Sequence, residues 1–151
     1  MTVDHKALID TLTDILGRSD FRTLGAVFTP DAEIEFPQSG ERFRGIDNIR
    51  GQFEDYPGHF DGTVRAVDLT DHPPTYALSP SYTVISVGGS ELEATATLRV
   101  RYPDNSMWWV VLAYETDGQR VRRAKVYFAP DFEPAPWRAK YTLPPSETGT
   151  P

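Results

Sequence analysis

The chain of 151 residues contains no cysteine and only three histidines. Without thiols the protein has no disulfide scaffold, no cysteine nucleophile and no thiolate metal site. The histidines, His5, His59 and His72, stand too far apart in sequence to form a pair with metal-ligand spacing. We therefore predict that no metal and no other cofactor is bound.

Basic residues are also few, because 15 Lys and Arg stand against 22 Asp and Glu, for a net charge of −7. Such a surface repels phosphates, so we expect neither nucleic acid nor an anionic membrane as a partner. The longest apolar run, residues 107–114, has eight residues, whereas a membrane helix needs about 20. The first residues contain no apolar signal core. Together these features predict a cytoplasmic protein.

Three helices are predicted in the N-terminal third of the chain. Apolar residues at helical spacing follow Asp4, a plausible N-cap, and end before Gly17. A second, short helix ends at Pro30, and a third carries apolar residues at the same spacing. The first helix is predicted between Asp4 and Gly17, the second between a cap at Ser19 or Asp20 and Pro30, and the third over about residues 46–55.

The remaining pattern has the period of two that is typical of strands. The segment 107–115 is apolar on both faces, which predicts a central strand covered on both sides. Helices that precede a run of antiparallel strands indicate an α+β domain with the helices on one side of the sheet. The predicted strands cover residues 32–36, 63–70, 81–87, 91–102, 107–115 and 120–128.

No repeat or internal linker divides the chain, so we predict a single domain over residues 1–144. The segment from Ala129 onward holds six of the 13 prolines and is expected to be irregular and extended. Its aromatic residues Phe132, Trp137 and Tyr141 are expected to pack on the body of the protein or close a pocket. Residues 145–151 are expected to be a disordered end.

Three stretches of the sequence resemble the SnoaL-like family of the nuclear transport factor two-like superfamily. Residues 28–37 with 43–46 look like the family's second helix, first strand and entry to the third helix. Residues 101–106 look like its long hairpin, and residues 127–138 look like its last strand and tail. The resemblance covers about residues 5–141.

The resemblance implies a cone-shaped, curved antiparallel sheet packed on three N-terminal helices around a pocket. Such pockets hold small, mostly apolar molecules. The family includes cyclases, isomerases, dehydratases, hydrolases and plain binding domains, so the fold does not assign a reaction. Many members are homodimers through the outer face of the sheet, and we expect a homodimer here.

Two reaction types of this fold do not fit the sequence. Ketosteroid isomerase chemistry needs a carboxylate base and a protonated acid, but Phe36 and Val110 stand near those positions. Limonene-type epoxide hydrolysis needs an aspartate–arginine–aspartate relay on two strands. The strands that carry Arg99 and Lys125 contain no aspartate at the corresponding positions.

Two titratable residues remain as candidates for general acid/base catalysis. Glu93 is predicted on a strand face beside Thr95 and Thr97, and the alternative is a solvated or dimer-face carboxylate. His59 lies between the third helix and the sheet, and the alternative is a solvated loop histidine. The arginines of the last strands are expected to pair with glutamates across strands.

The aromatic residues are too many for one small core, so some are expected to line a cavity or an interface. Trp108 and Trp109 point to opposite faces of their strand, one toward the pocket and one outward. Tyr82 and Tyr127 are candidate donors to a developing oxyanion. The predicted ligand-binding residues are Phe36, Phe53, Tyr56, Phe60, Tyr82, Trp109 and Tyr127.

Two hypotheses for the function stay open. The first is a cyclase, isomerase or dehydratase that uses Glu93 or His59. The second is a non-catalytic ligand-binding or accessory protein of the same fold. An acid or base that faces the pocket would distinguish them.

Overall fold

The computed structural model describes residues 2–56, 81–102 and 104–144. The described chain contains two α-helices, six strands and two short 3₁₀ helices. In chain order these are α1 (His5–Arg18), a 3₁₀ helix (Phe21–Ala26), β1 (Phe28–Phe36), β2 (Glu41–Arg44), α2 (Ile46–Glu54), β3 (Ser81–Gly89), β4 (Glu93–Arg101), β5 (Met107–Thr116), β6 (Val121–Pro130) and a second 3₁₀ helix (Pro136–Tyr141).

Helix α1 begins and ends for local reasons that are visible in the sequence. The Asp4 side chain accepts a hydrogen bond from the Ala7 backbone N–H at 3.0 Å and so satisfies one free donor of the first turn. Ser19 adopts a left-handed conformation with φ 54° and ends the helix. The five buried residues of α1 are Leu8, Ile9, Leu12, Ile15 and Leu16, which are the apolar positions of the predicted helix.

The predicted second helix is shorter than expected, because β1 already begins at Phe28 and contains Pro30. Proline removes one N–H donor, so a strand tolerates it only where the hydrogen-bond ladder is interrupted or at an edge. The pairing of β1 with β6 is irregular between Phe28 and Glu33, which is where Pro30 lies. Pro30 therefore does not end a helix here.

Strand β2 was not expected from the sequence. Gly40, with φ 80°, lies in the turn that reverses the chain after β1, and β2 pairs antiparallel with β1. Glu33 of β1 contacts Arg42 at 2.8 Å and Arg44 at 3.0 Å. These contacts lower the pKa of Glu33, chiefly through the hydrogen bond from Arg44 and then that from Arg42.

The strands form a curved, unclosed six-stranded sheet in the order β2-β1-β6-β5-β4-β3. With the helices at the N-terminus, this is the expected α+β class. The neighbouring pairs are antiparallel except β1 with β6, which is parallel. The expected antiparallel sheet is therefore present, and the pairing of the first strand with the last is its one parallel contact among the described strands. A parallel pair requires a crossover, and here the long connection from β1 to β6 brings the first strand beside the last.

The two faces of the sheet have different roles. The core face carries Val100, Val110 and Val126, which are buried with the apolar side of α1. The outer face, on the other side of the same strands, carries Glu93, Trp109 and Tyr127. Because successive side chains alternate between faces, each strand contributes to both surfaces.

The C-terminal segment does not pack as expected. Phe132 is 82% exposed, Trp137 70% and Tyr141 75%, so the prediction that they dock on the body of their own chain is wrong. The Asp131 backbone N–H donates to the Met107 carbonyl at 3.0 Å, which holds the start of the segment at the sheet. Beyond it, the second 3₁₀ helix presents the aromatic side chains to solvent.

Several predictions fall outside the described residues. The strand expected at 63–70, the residues His59 and Phe60, and the expected disordered end at 145–151 are among them. The single domain over residues 1–144 stays a prediction. Within the described ranges, no helix is long and apolar enough to cross a membrane.

Candidate functional site

Four aromatic residues gather at one end of the core face. Tyr82 of β3 pairs with Val100 of β4, which in turn pairs with Trp108 of β5. Tyr102 follows β4 on the same face, and Tyr56 follows the C-terminal end of α2. All four pack against the core while staying partly accessible. We call Tyr56, Tyr82, Tyr102 and Trp108 the aromatic end.

Ring contacts join these residues. The ring centroids of Tyr56 and Tyr102 lie 6.5 Å apart in a stacked arrangement. The Tyr102 ring meets Trp108 edge to face, with centroids 5.6 Å apart. Trp108 is held in place because its Nε1–H donates to Ser106 Oγ at 2.9 Å. Such contacts fix the rings relative to one another.

The phenols of the aromatic end keep their protons far above neutral pH. Burial, followed by the proximity of Tyr56, raises the pKa of Tyr102 to about 12. Burial also raises the pKa of Tyr82 well above its usual range and, to a smaller extent, that of Tyr56. A protonated phenol is a hydrogen-bond donor, so the Tyr102 hydroxyl is a donor within an apolar surface.

The Tyr102 hydroxyl has no hydrogen-bond partner among residues 2–56, 81–102 and 104–144. The nearby carboxylate of Asp104 accepts from the Ser106 backbone N–H at 2.9 Å and from Ser106 Oγ at 2.5 Å. The hydrogen bonds from Ser106 lower the pKa of Asp104, so it stays ionised and is a weak base.

A second group of aromatic rings extends the same face toward β1. Phe36 meets Phe43 and Phe128 edge to face, with both centroid distances 5.0 Å. Phe53 of α2 stacks on Phe21 at 5.8 Å. Phe36 and Phe53, both predicted ligand-binding residues, therefore lie on the core side, partly buried.

Two other predicted ligand-binding residues lie on the outer face. Trp109 is covered by the Arg99 guanidinium, 4.5 Å from the ring centroid. Tyr127 pairs with Val111 and is 40% exposed. The structure therefore does not bring Trp109 and Tyr127 together with the aromatic end. Trp108 is the tryptophan on the core face, because alternation places the two neighbours on opposite sides.

Glu93, a predicted catalytic residue, is exposed on the outer face. It lines a hollow of about 590 Å³ there, together with residues of β1, β3, β5 and β6. Since Glu93 and the aromatic end lie on opposite faces of the sheet, the structure does not bring them together. His59, the other predicted catalytic residue, lies outside the described residues.

The predicted ligand-binding residues did not include Tyr102 and Trp108 of the aromatic end, or Phe21, Phe43 and Phe128 of the second group. Tyr102 and Phe128 continue the alternation of buried positions along β4 and β6, so the strand period was a signal that could have identified them. Phe43 belongs to the unexpected strand β2, so no such signal was available. In the described part of the chain, no three His, Asp or Glu side chains form a group able to hold a metal ion.

Comparisons with known proteins agree with this architecture. The family model of the SnoaL-like domain matches residues 9–124. A solved structure of a nuclear transport factor two-like protein of unknown function from Burkholderia xenovorans has a TM-score of 0.71 at 18% identity, covering 93% of this chain and 94% of that one. No curated protein matches the chain in sequence.

Two further structures carry names that suggest an activity. A candidate ketosteroid isomerase from Kribbella flavida has a TM-score of 0.72 at 22% identity, covering 97% of this chain and 96% of that one. A candidate polyketide cyclase from Sinorhizobium meliloti has a TM-score of 0.56 at 15% identity, covering 80% and 93%. At these identities the likeness concerns the fold alone. With the family model matching most of the chain, the protein belongs to the SnoaL-like family of the nuclear transport factor two-like superfamily.

Proposed function

We propose that the protein binds a small, mostly apolar organic molecule at the aromatic end. The observation that carries this proposal is the Tyr102 hydroxyl, a protonated donor within an aromatic surface and without a partner among the described residues. This hydroxyl lies at the partly accessible end of the core face, so an acceptor on a ligand can reach it and accept its hydrogen bond. The Tyr56 and Trp108 rings on either side would contact the ligand's apolar body.

The chemistry of the site defines a ligand class. Stacked and edge-to-face rings favour a flat, apolar body. The raised pKa of Tyr102 keeps its phenol protonated, which favours a neutral or anionic oxygen acceptor, such as a ketone, an enol or a phenolate. We therefore propose a bicyclic or polycyclic ketone or phenol.

The test is a binding titration with 2-acetylnaphthalene, followed by calorimetry. Tyr102→Phe removes one hydrogen bond and is expected to weaken binding by roughly 2- to 12-fold, equivalent to about 0.5–1.5 kcal/mol. Tyr127→Phe is the matched control, because it removes the same hydroxyl from the outer face. Equal affinities of Tyr102→Phe and the unchanged protein, or equal losses in both variants, would refute the assignment.

The alternative is that the same site is catalytic, of cyclase, isomerase or dehydratase type. It draws on the names of the two relatives from Kribbella flavida and Sinorhizobium meliloti. Of the two predicted acid/base residues, Glu93 lies on the face opposite the aromatic end, so this alternative rests on His59. Incubation of the ketone in D₂O tests it: enzyme-dependent deuterium uptake at the α-carbon, lost in His59→Ala and kept in His72→Ala, would favour catalysis.

Assembly and location complete the proposal. A homodimer through the outer face is supported by the apolar side chains of Trp109, Val111 and Ala113, which remain partly accessible there. Location in the cytoplasm and the lack of nucleic-acid partners rest on the sequence and stay predictions.

A further inference from the structure

The C-terminal tail, residues 131–144, exposes an unusual amount of apolar surface. Its four large apolar residues, Phe132, Trp137, Tyr141 and Leu143, are 70–88% exposed within 12 residues of chain. Two of them lie in a 3₁₀ helix, so the tail holds them in a fixed local arrangement. A concentrated patch of this kind marks an interaction surface.

The hollow on the outer face has the complementary chemistry. Its lining includes small residues, among them Gly88, Thr95 and Ala113, which leave room for a large side chain. Four carboxylates line it against two cations, Arg123 and Lys125. The charge next to the tail's tryptophan is positive, because Arg138 and Lys140 follow Trp137. The carboxylates of the hollow are Glu33, Glu35, Glu93 and Glu115.

We propose that the tail of one copy docks in the hollow of a second copy, and that the exchange is mutual in a two-fold dimer. Trp137 inserts between the small residues of the partner's hollow. Arg138 and Lys140 then lie beside the carboxylates of Glu35 and Glu93, for which no ion pair is formed within the described residues. The same contact thereby covers the exposed apolar residues of the tail and the carboxylates of the hollow that have no ion pair in the described part of the chain.

In the structure the aromatic side chains of the tail are exposed and do not sit in the hollow of their own chain, so a second copy is needed to bring tail and hollow together. The tail begins after Pro130, which pairs with Trp108 at one end of the sheet. The hollow lies at the other end, beside Ala124, which is six residues or roughly 20 Å away along β6. A two-fold axis that runs across the strands brings the beginning of one tail over the far end of the partner's sheet.

The contact is large enough for a stable dimer. Buried aromatic side chains remove about 150–250 Å² each from water. At the lower figure, Phe132, Trp137 and Tyr141 from two tails, with an equal area of the surface they cover, bury about 1,800 Å², which is the size of a specific interface of roughly 1,200–2,000 Å². In a two-fold symmetric dimer the contact between tail and hollow occurs twice, once for each copy.

Cross-linking tests the exchange directly, because the chain contains no cysteine of its own. Ala139→Cys places a thiol on the tail, and Ala113→Cys places one in the hollow. We expect a short bis-maleimide to join the two variants when they are mixed, as a dimer identified by peptide mass mapping. The matched control pairs Ala139→Cys with Ala7→Cys, an exposed position on α1, and is expected to give no product.

Two results would overturn the proposal. One is a cross-link within a single chain that carries both Ala139→Cys and Ala113→Cys, since the tail then occupies its own hollow. The other is a cross-linking yield that is unchanged by Trp137→Ala. Sedimentation of the cysteine-free protein gives a second readout: Trp137→Ala is expected to raise the dimer dissociation constant at least tenfold, whereas a monomer at micromolar concentration would contradict docking. Neither readout involves ligand, so this test and that of the aromatic end can fail separately.

Discussion

The ion pair of Arg99 and Asp131 offers the sharpest test of how the start of the tail is held. The guanidinium donates to both carboxylate oxygens, at 2.6 and 2.5 Å, and stacks over Trp109. The Arg99 side chain is only 7% exposed, whereas that of Asp131 is 47% exposed. Removing the carboxylate would leave a buried cation without its counter-charge.

The expected cost follows from that asymmetry. Breaking a fully buried pair by removing one partner costs about 3–5 kcal/mol. Water reaches the Asp131 side of this pair, so Asp131→Ala is expected to lower the free energy of unfolding by about 2 kcal/mol, or the melting temperature by roughly 4–8 °C. Asp10→Ala is the matched control. Its carboxylate is similarly exposed, at 46%, but its partner Lys6 is 74% exposed, so its loss should cost only about 0.3–0.5 kcal/mol.

Urea unfolding followed by circular dichroism, at one protein concentration, measures both variants. The pairing also predicts a pH dependence. The hydrogen bonds from Arg99 lower the pKa of Asp131 in the folded state. The contribution is therefore fully present above the unfolded pKa of about 3.9 and is lost as the pH falls through the lower folded value. If Asp131→Ala costs no more than Asp10→Ala at pH 7, the buried cation does not depend on this carboxylate and the reasoning fails.

Two further substitutions test the packing between elements. His5 donates from Nε2 to the Ser90 carbonyl at 2.7 Å and accepts at Nδ1 from the buried Tyr114 hydroxyl at 3.0 Å, so His5→Ala should cost about 1–3 kcal/mol in urea unfolding. In His5→Ala combined with Tyr114→Phe the two losses should be less than additive, and strict additivity would contradict the hydrogen bond. A Cβ at Gly89 would overlap the backbone at Glu93, whereas at Gly88 it meets open space. Gly89→Ala should therefore cost about 1–3 kcal/mol more than Gly88→Ala, and equal melting temperatures would refute this.

Much of the fold could be predicted because its signals are local. The Asp4 cap and the apolar spacing of α1 lie within one segment, and the alternation along β4 identifies its core-facing residues directly. Strand β2 depends on distant residues instead. Its four residues are stabilised by contacts with Glu33 and by the contact of Phe43 with Phe36, which exist only after β1 and β2 pair. No pattern within β2 itself indicates them.

The candidate site was less predictable because it depends on which face of a strand is covered. The sequence shows that Trp108 and Trp109 point to opposite sides, but not which side meets the helices. Register decides this: Trp109 pairs with Arg99, and Trp108 pairs with the buried Val100. The same holds for Glu93. The sequence shows that it shares a strand face with Thr95 and Thr97, but not that this face of β4 lies on the outside of the sheet.

The alternation that placed these residues also separates the two proposed surfaces. Tyr102 and Trp108 belong to the core face, whereas Trp109, Glu93 and the hollow belong to the outer face, although β4 and β5 supply both. A substitution at Tyr102 changes a donor that no outer-face residue contacts, and Trp137, seven residues beyond the end of β6, is exposed to solvent and is not packed on the aromatic end. A ligand effect of Trp137→Ala would therefore have to pass through the dimer, and it should disappear on dilution below the dimer dissociation constant.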